Sequence, residues 1–286
     1  MQEPTEQTSQ AEDDEQPKYV KSKKTKTKKS KYKVIKNFNK SKFFGFLKGI
    51  TTLFIRRAKV VDATQGCGIP KKAIFLSTHG VKPLLGIIKN EMSMPKEVSF
   101  VTIGTHELCN PFFKRMRYGY AIHYHLRHGW GKIRSFFASF FVCSALGLLY
   151  KMARVIPSYR DGRTKHTLKQ SLSALQQGHA LLIYPEQLEH GYNNVFTEFL
   201  PGFVFIAEMH YKRTGEDIPI CPCYFSYQHN KLIIGKPQSA IELLQQGKTR
   251  DDVAEFFRLK VNELYATHIQ AIIQEKEAKF AKFNRA

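Results

Sequence analysis

The sequence predicts an α/β fold, a mostly parallel sheet flanked by helices, and three observations carry that prediction. Residues 73–76, 180–184 and 218–225 are short apolar runs without polar alternation, the pattern of strands buried on both faces. Residues 164–177 set Leu168, Leu172 and Leu175 on one helical face, stop at Gly178 and lead straight into the run at 180, which is half of a βαβ crossover. The runs also deliver polar residues at their ends. His79 leaves the first, Glu186 leaves the second, and Arg160 follows Val155-Ile156-Pro157. Ligands gather at the carboxyl ends of strands in open α/β sheets, so a base, a carboxylate and a guanidinium are candidates for one crevice.

The elements follow in order. Residues 1–42 read as a disordered tail, six acids and no Lys or Arg up to residue 17, then twelve Lys and no acid from 18 to 42; such composition cannot bury enough apolar surface to order itself. Residues 43–57 place Phe43, Phe46, Leu47, Ile50, Leu53 and Phe54 at helical spacing before Arg56-Arg57. The run is too short to span a bilayer and suits a helix lying in the interface. Residues 135–150 are apolar on all sides, flanked by Lys132 and Arg134 and by Lys151 and Arg154; they predict a buried or shallowly inserted helix lining an acyl region, with a membrane span, for which sixteen residues are marginal, as the lesser reading. Residues 203–212 form another helix, 232–235 a short strand after a turn at Asn230, and Thr249-x-x-Asp252 a capping box opening a helix to about 283. Val253, Phe257, Val261, Leu264, His268 and Ile272 share one face of it. The domain therefore runs over 43–286, a length that holds one α/β domain with its extensions.

Charge and cysteines bound the function. The net charge of +21 is not confined to the tail and implies an anionic partner, a membrane surface or a polyanion. Five Cys at 67, 109, 143, 221 and 223 make no paired framework, so reduced thiols in a cytosolic setting are expected. The acidic, polar start lacks the apolar core of a secretory leader. His123, His125 and His128 have a spacing open to a metal, but no carboxylate lies nearby and the interleaved aromatics suit a headgroup-level belt; no metal is expected.

The blocks His79, Arg160, Tyr184-Pro185-Glu186 and Ile218-Pro219-Ile220-Cys221-Pro222 stand in the order of the four motifs of glycerolipid acyltransferases of the lysophosphatidic acid acyltransferase type, and residues 71–236 resemble that family. Residues 98–108 with Asn110-Pro111-Phe112-Phe113, and Phe199-Leu200-Pro201-Gly202, resemble its supporting segments. The resemblance implies a membrane-associated acyltransferase at the cytoplasmic face. It would move a fatty acyl group from a thioester donor, acyl-CoA or acyl carrier protein, to a lysophospholipid or related glycerol acceptor without a metal or redox cofactor. It implies His79 as the base, Arg160 as the ligand of the acceptor's phosphate and Glu186 beside the acceptor; Lys82 and Arg163 are neighbouring cations without motif support. Two departures stand out. The first motif's Asp is replaced by Leu84, and the third motif continues Gln187-Leu188-Glu189 in place of Gly-Thr-Arg. The group that orients the imidazole is then a backbone carbonyl or Glu186. Two other readings remain, a non-catalytic lipid-binding relative and a basic nucleic-acid-binding protein. Against the second, the Lys block lacks the Arg and stacking aromatics of a specific reader, and no nucleic acid is expected.

Overall fold

Side chains along the predicted runs alternate between two apolar layers. Ile74, Leu76, Val101, Ile103, Leu181, Ile183 and Ile220 belong to one; Ala73, Phe75, Phe100, Ala180, Leu182 and Cys221 belong to the other. This is the two-residue period of strands covered on both sides. The computed structural model describes residues 35–40, 45–46, 49, 55–79, 83–120, 129–159, 161–186 and 194–274, all within the compact unit that begins at Ile35.

The elements are β1 (Lys59–Ala63), β2 (Ile74–Leu76), α1 (Pro83–Ser93), β3 (Phe100–Thr105), α2 (His106–Cys109), α3 (Phe112–Arg117) and α4 (Lys132–Met152). They continue with β4 (Ile156–Ser158), α5 (Thr164–Gln176), β5 (Ala180–Ile183), α6 (Gly202–Thr214), β6 (Ile220–Ser226), β7 (Lys231–Gly235), α7 (Ala240–Gln245) and α8 (Arg250–Tyr265). The strands form one sheet in the order β1-β7-β6-β2-β5-β3-β4. Every pairing is parallel except β6 with β7, which turn back on each other through Asn230 at a φ of 52°. The fold is α/β with a mostly parallel sheet, as the apolar runs predict.

Helices α5, α6 and α8 cover the first face through Ala174, Leu175, Phe203, Val204, Ala207, Val253, Phe257 and Val261. The capping box of α8 is present, Thr249 Oγ1 accepting from the Asp252 N–H and Asp252 accepting from the Thr249 N–H. The expected stripe on α8 packs on the core through Leu264 and then turns. A π-helical stretch, Ala266–Gln270, follows, and the buried residue is Ile269, not His268, because a π turn adds a residue per turn and rotates the apolar stripe. Strand β1 is not anticipated by the sequence; it pairs only with β7 at the sheet edge.

Two boundaries differ from expectation. The tail expected over 1–42 does not extend through 35–40: Phe38 is 1% exposed in the main core, Lys40 Nζ sits 3.8 Å from the Phe100 ring centroid, and the Lys36 carbonyl accepts from Gln177 Nε2. Residues 1–34 and most of the predicted interfacial helix at 43–57 lie outside the described residues. The second difference is α4. It is helical as predicted; of the two expected placements the buried one falls, since the helix is mostly exposed, and it packs mainly on α2 and α3, not on the sheet. Phe38 supplies a test of the first difference: Phe38→Ala should cost roughly 3–5 kcal/mol of unfolding free energy, read as a lowered urea midpoint, whereas a true tail residue would leave the midpoint unchanged.

Candidate active site

The register of β2 against β5 builds the site. Leu76 lies opposite Ile183, and each strand continues three residues to its functional side chain. His79 and Glu186 therefore emerge side by side at the carboxyl end of the sheet. Glu186 Oε1 takes two bonds from His79, 2.7 Å from Nδ1 and 2.6 Å from the backbone N–H. The carboxylate is nearly sealed, 3% exposed, while the imidazole keeps 17% of its surface open. A carboxylate in its ionised form only accepts, and that form would place the ring proton on Nδ1. Glu186 Oε2 is buried without a hydrogen-bond partner among the described residues.

Neighbouring elements hold both residues in place. The Tyr184 ring packs on the imidazole at 4.5 Å between centroids. Burial, with the Glu91 and Glu186 carboxylates adding to it, pushes the Tyr184 phenol well above its ordinary range, so it stays a neutral hydroxyl. Glu186 is pinned through its backbone: it bridges to Phe199, and the Leu200 N–H donates to the Pro185 carbonyl. Thr78, next to His79, is stitched to β6, its hydroxyl accepting from the Phe225 N–H at 3.2 Å. From α1, the fully buried Asn90 donates to Ser77 Oγ at 2.6 Å and to the Thr78 carbonyl. Gly86 lets α1 come this close. A Cβ at that position would stand 2.4 Å from the His79 carbonyl oxygen.

Of the residues read from the sequence, the structure joins His79 and Glu186. Arg160 and Lys82 lie outside the described residues, as do His123, His125 and His128. The strand that precedes Arg160, β4, is three strand spacings from β2 in the sheet order, about 14 Å. Leu84, in the first turn of α1, holds the position of the motif Asp, and Glu186 takes up the imidazole instead. Arg163 is engaged at the end of β4: its Nε bonds both Asp161 oxygens at 2.9 Å, its guanidinium stacks 4.3 Å over Tyr159, and Nη2 approaches His106 Nε2 at 3.4 Å. Among the described residues no His, Cys, Asp and Glu cluster is arranged to hold a metal. The residues that the sequence reading misses are Gly86 and Asn90; Phe199, already in a supporting segment of the resemblance, proves to bridge Glu186. A Gly and an Asn inside an apolar helix are costly there, and that cost is the signal that marks the first two.

No family model matches the chain, and no curated protein matches its sequence. Among solved structures, the chain is similar to the 1-acyl-sn-glycerophosphate (LPA) acyltransferase PlsC from Thermotoga maritima, at 13% identity and a TM-score of 0.43, covering 79% of each chain.

The bond geometry makes a prediction independent of any reaction. In spectra of histidine-labelled protein, His79 should show a protonated Nδ1 with the low-field proton of a carboxylate hydrogen bond. Glu186→Gln should shift that signal sharply upfield, and Gly86→Ala should perturb it by displacing α1 from the His79 backbone. An unchanged signal in Glu186→Gln would remove the pair from the site.

Proposed function

We propose that the protein is an acyltransferase acting at a membrane surface, with His79 as general base and Glu186 as the acid that orients it. The observation that carries this reading is the bond from His79 Nδ1 to the sealed Glu186 carboxylate. A base that must take a proton from an alcohol is helped by an acid tied to its other ring nitrogen, which fixes the tautomer and stabilises the imidazolium.

The step balances as follows. Nε2 of His79 accepts the proton of an acceptor hydroxyl while that oxygen attacks the thioester carbonyl. The tetrahedral intermediate collapses, the C–S bond breaks, and the leaving thiolate takes the proton back from Nε2–H. Glu186 holds its charge throughout and stabilises the imidazolium between the two transfers. The donor is acyl-CoA or acyl carrier protein, and the acceptor a lysophospholipid or related glycerol lipid. Arg160, with Lys82 near it in sequence, serves the acceptor's phosphate; a guanidinium fork suits that group. Glu186 thereby takes the work of the acid missing at Leu84, beyond the acceptor-side role implied by the motif order. The Lys-rich stretch at 18–42 supports action at an anionic, cytoplasmic membrane face.

The test is an acyl transfer assay in detergent, with labelled acyl-CoA and acyl carrier protein donors and a panel of lysophospholipids. His79→Ala should lower turnover at least about 10²-fold, with His79→Gln alongside because it keeps a donor for the buried carboxylate. Glu186→Gln should lower it by about 10²–10⁴-fold. Leu84→Asp should bring no gain, since Nδ1 already has its acid. Full activity in His79→Ala would overturn the mechanism. A folded wild-type protein that transfers nothing across the panel would favour the non-catalytic lipid-binding reading.

A further inference from the structure

Helix α4 is built inside out. Ile133, Phe136, Phe137, Phe140, Phe141 and Leu148 are exposed, and at 100° per residue they fall on one side of the helix. Phe141 is 65% exposed, and Phe113 on the adjoining α3 is 82% exposed. The opposite side carries Ser135, Ser139 and Cys143 at four-residue steps, all buried. Those small side chains receive the backbone at Gly119, where a Cβ would lie 2.4 Å from Cys143 Sγ. Further along, Gly147 leaves room for the Arg115 guanidinium, whose Nη1 donates to the Asn110 carbonyl at 2.8 Å. A helix with its polar side inward and its aromatics outward is adapted to an apolar surrounding.

Charge identifies that surrounding. From residue 108 to residue 160 the chain holds nine Lys or Arg and no Asp or Glu. Lys114 and Arg117 flank Phe113, Lys132 and Arg134 begin α4, and Lys151 ends it; all are exposed. Arg134 stacks on Trp130 at 4.0 Å, an aromatic of the kind that favours the headgroup level. A second copy of the chain would bring two cationic rims together, whereas an anionic bilayer complements one. The helix is about 31 Å long, enough to cross a hydrocarbon core. Its inner side nevertheless packs on α2 and α3 along the domain, and β4 begins four residues beyond its end and pairs with β3.

We infer that α4 and α3 form an interfacial docking face, lying in the plane of an anionic membrane with the Phe side in the acyl boundary and the Lys and Arg rim on the phosphates. α2 and α3 follow directly from the carboxyl end of β3, the end of the sheet at which His79 lies, so this docking brings that end to the lipid. The inference rests on the acyl transfer reading only for what the docked site then does.

The experiment is sedimentation of the full chain with phosphatidylcholine vesicles, with and without phosphatidylserine, at low and high salt. High salt screens the Lys-rich tail and leaves the apolar contribution. There, Phe113→Ser with Phe137→Ser and Phe141→Ser should lower the partition coefficient at least about tenfold, with an unchanged thermal melt. At low salt, Lys114→Glu with Arg117→Glu should weaken binding only to vesicles containing phosphatidylserine. Four results would overturn the proposal: binding of the triple variant equal to that of wild type; a lowered melt without loss of binding, which means that a segment of the chain covers the face; a wild-type dimer that the triple variant makes monomeric; or resistance of wild type to alkaline extraction, which means that α4 spans. Sedimentation does not depend on turnover, so an inactive protein that docks, or an active one that does not, separates this inference from the acyl transfer reading.

Discussion

The register between β2 and β5 sets Leu76 opposite Ile183, and each strand runs on for three residues before its functional side chain. His79 and Glu186 arrive at one level of the sheet, and the carboxylate closes on both the ring and the backbone N–H of the histidine. The rest of the site serves that juxtaposition. The Phe199 bridge holds Glu186 from one side, Asn90 and Thr78 hold the strand end that carries His79, and Gly86 allows α1 to lie against it. A one-residue slip would turn the polar ends to opposite faces and bury one of them without a partner, so core packing and site assembly impose the same register.

A buried carboxylate is costly unless it is matched by a donor or a positive charge. Here Oε1 is matched by two donors and Oε2 by none among the described residues. In the proposed mechanism such a preorganised charge, in a poorly hydrated site, would stabilise the imidazolium without reorganisation. On the proposed mechanism, Glu186, three residues beyond β5, stands where the absent acid at position 84 would act on Nδ1.

The segment between β3 and β4 answers to a different solvent. In an ordinary crossover the helix lays its apolar side on the sheet. Here α4 turns that side away, keeps serines and a cysteine inward, and is bounded by cations unrelieved by any acid from 108 to 160. The docking inference accounts for that arrangement, and the place of α4 beside the carboxyl end of the sheet would join lipid contact to the candidate chemistry.

By itself the sequence determined the class of fold and most of its elements, though not β1, α7 or the π turn. Continuous apolar runs mark strands covered on both faces, the Leu spacing of 164–177 marks a crossover helix, and Thr249 with Asp252 marks the start of α8; these are local patterns, legible because periodicity and capping act within a few residues. It also determined the candidate chemistry at His79 and Glu186, because a polar residue at the end of a buried strand has few other places to go. Only the tertiary structure decided that these two residues bond each other, since strand order and register arise from packing between segments more than a hundred residues apart. The same holds for Phe38, an isolated aromatic in a Lys-rich stretch that the core captures, and for Ile269, which replaces His268 once a π turn rotates α8. It holds above all for α4, whose composition is apolar on every side: which face meets the protein depends on what α2, α3 and Gly119 offer it, and at Gly119 they accept small side chains.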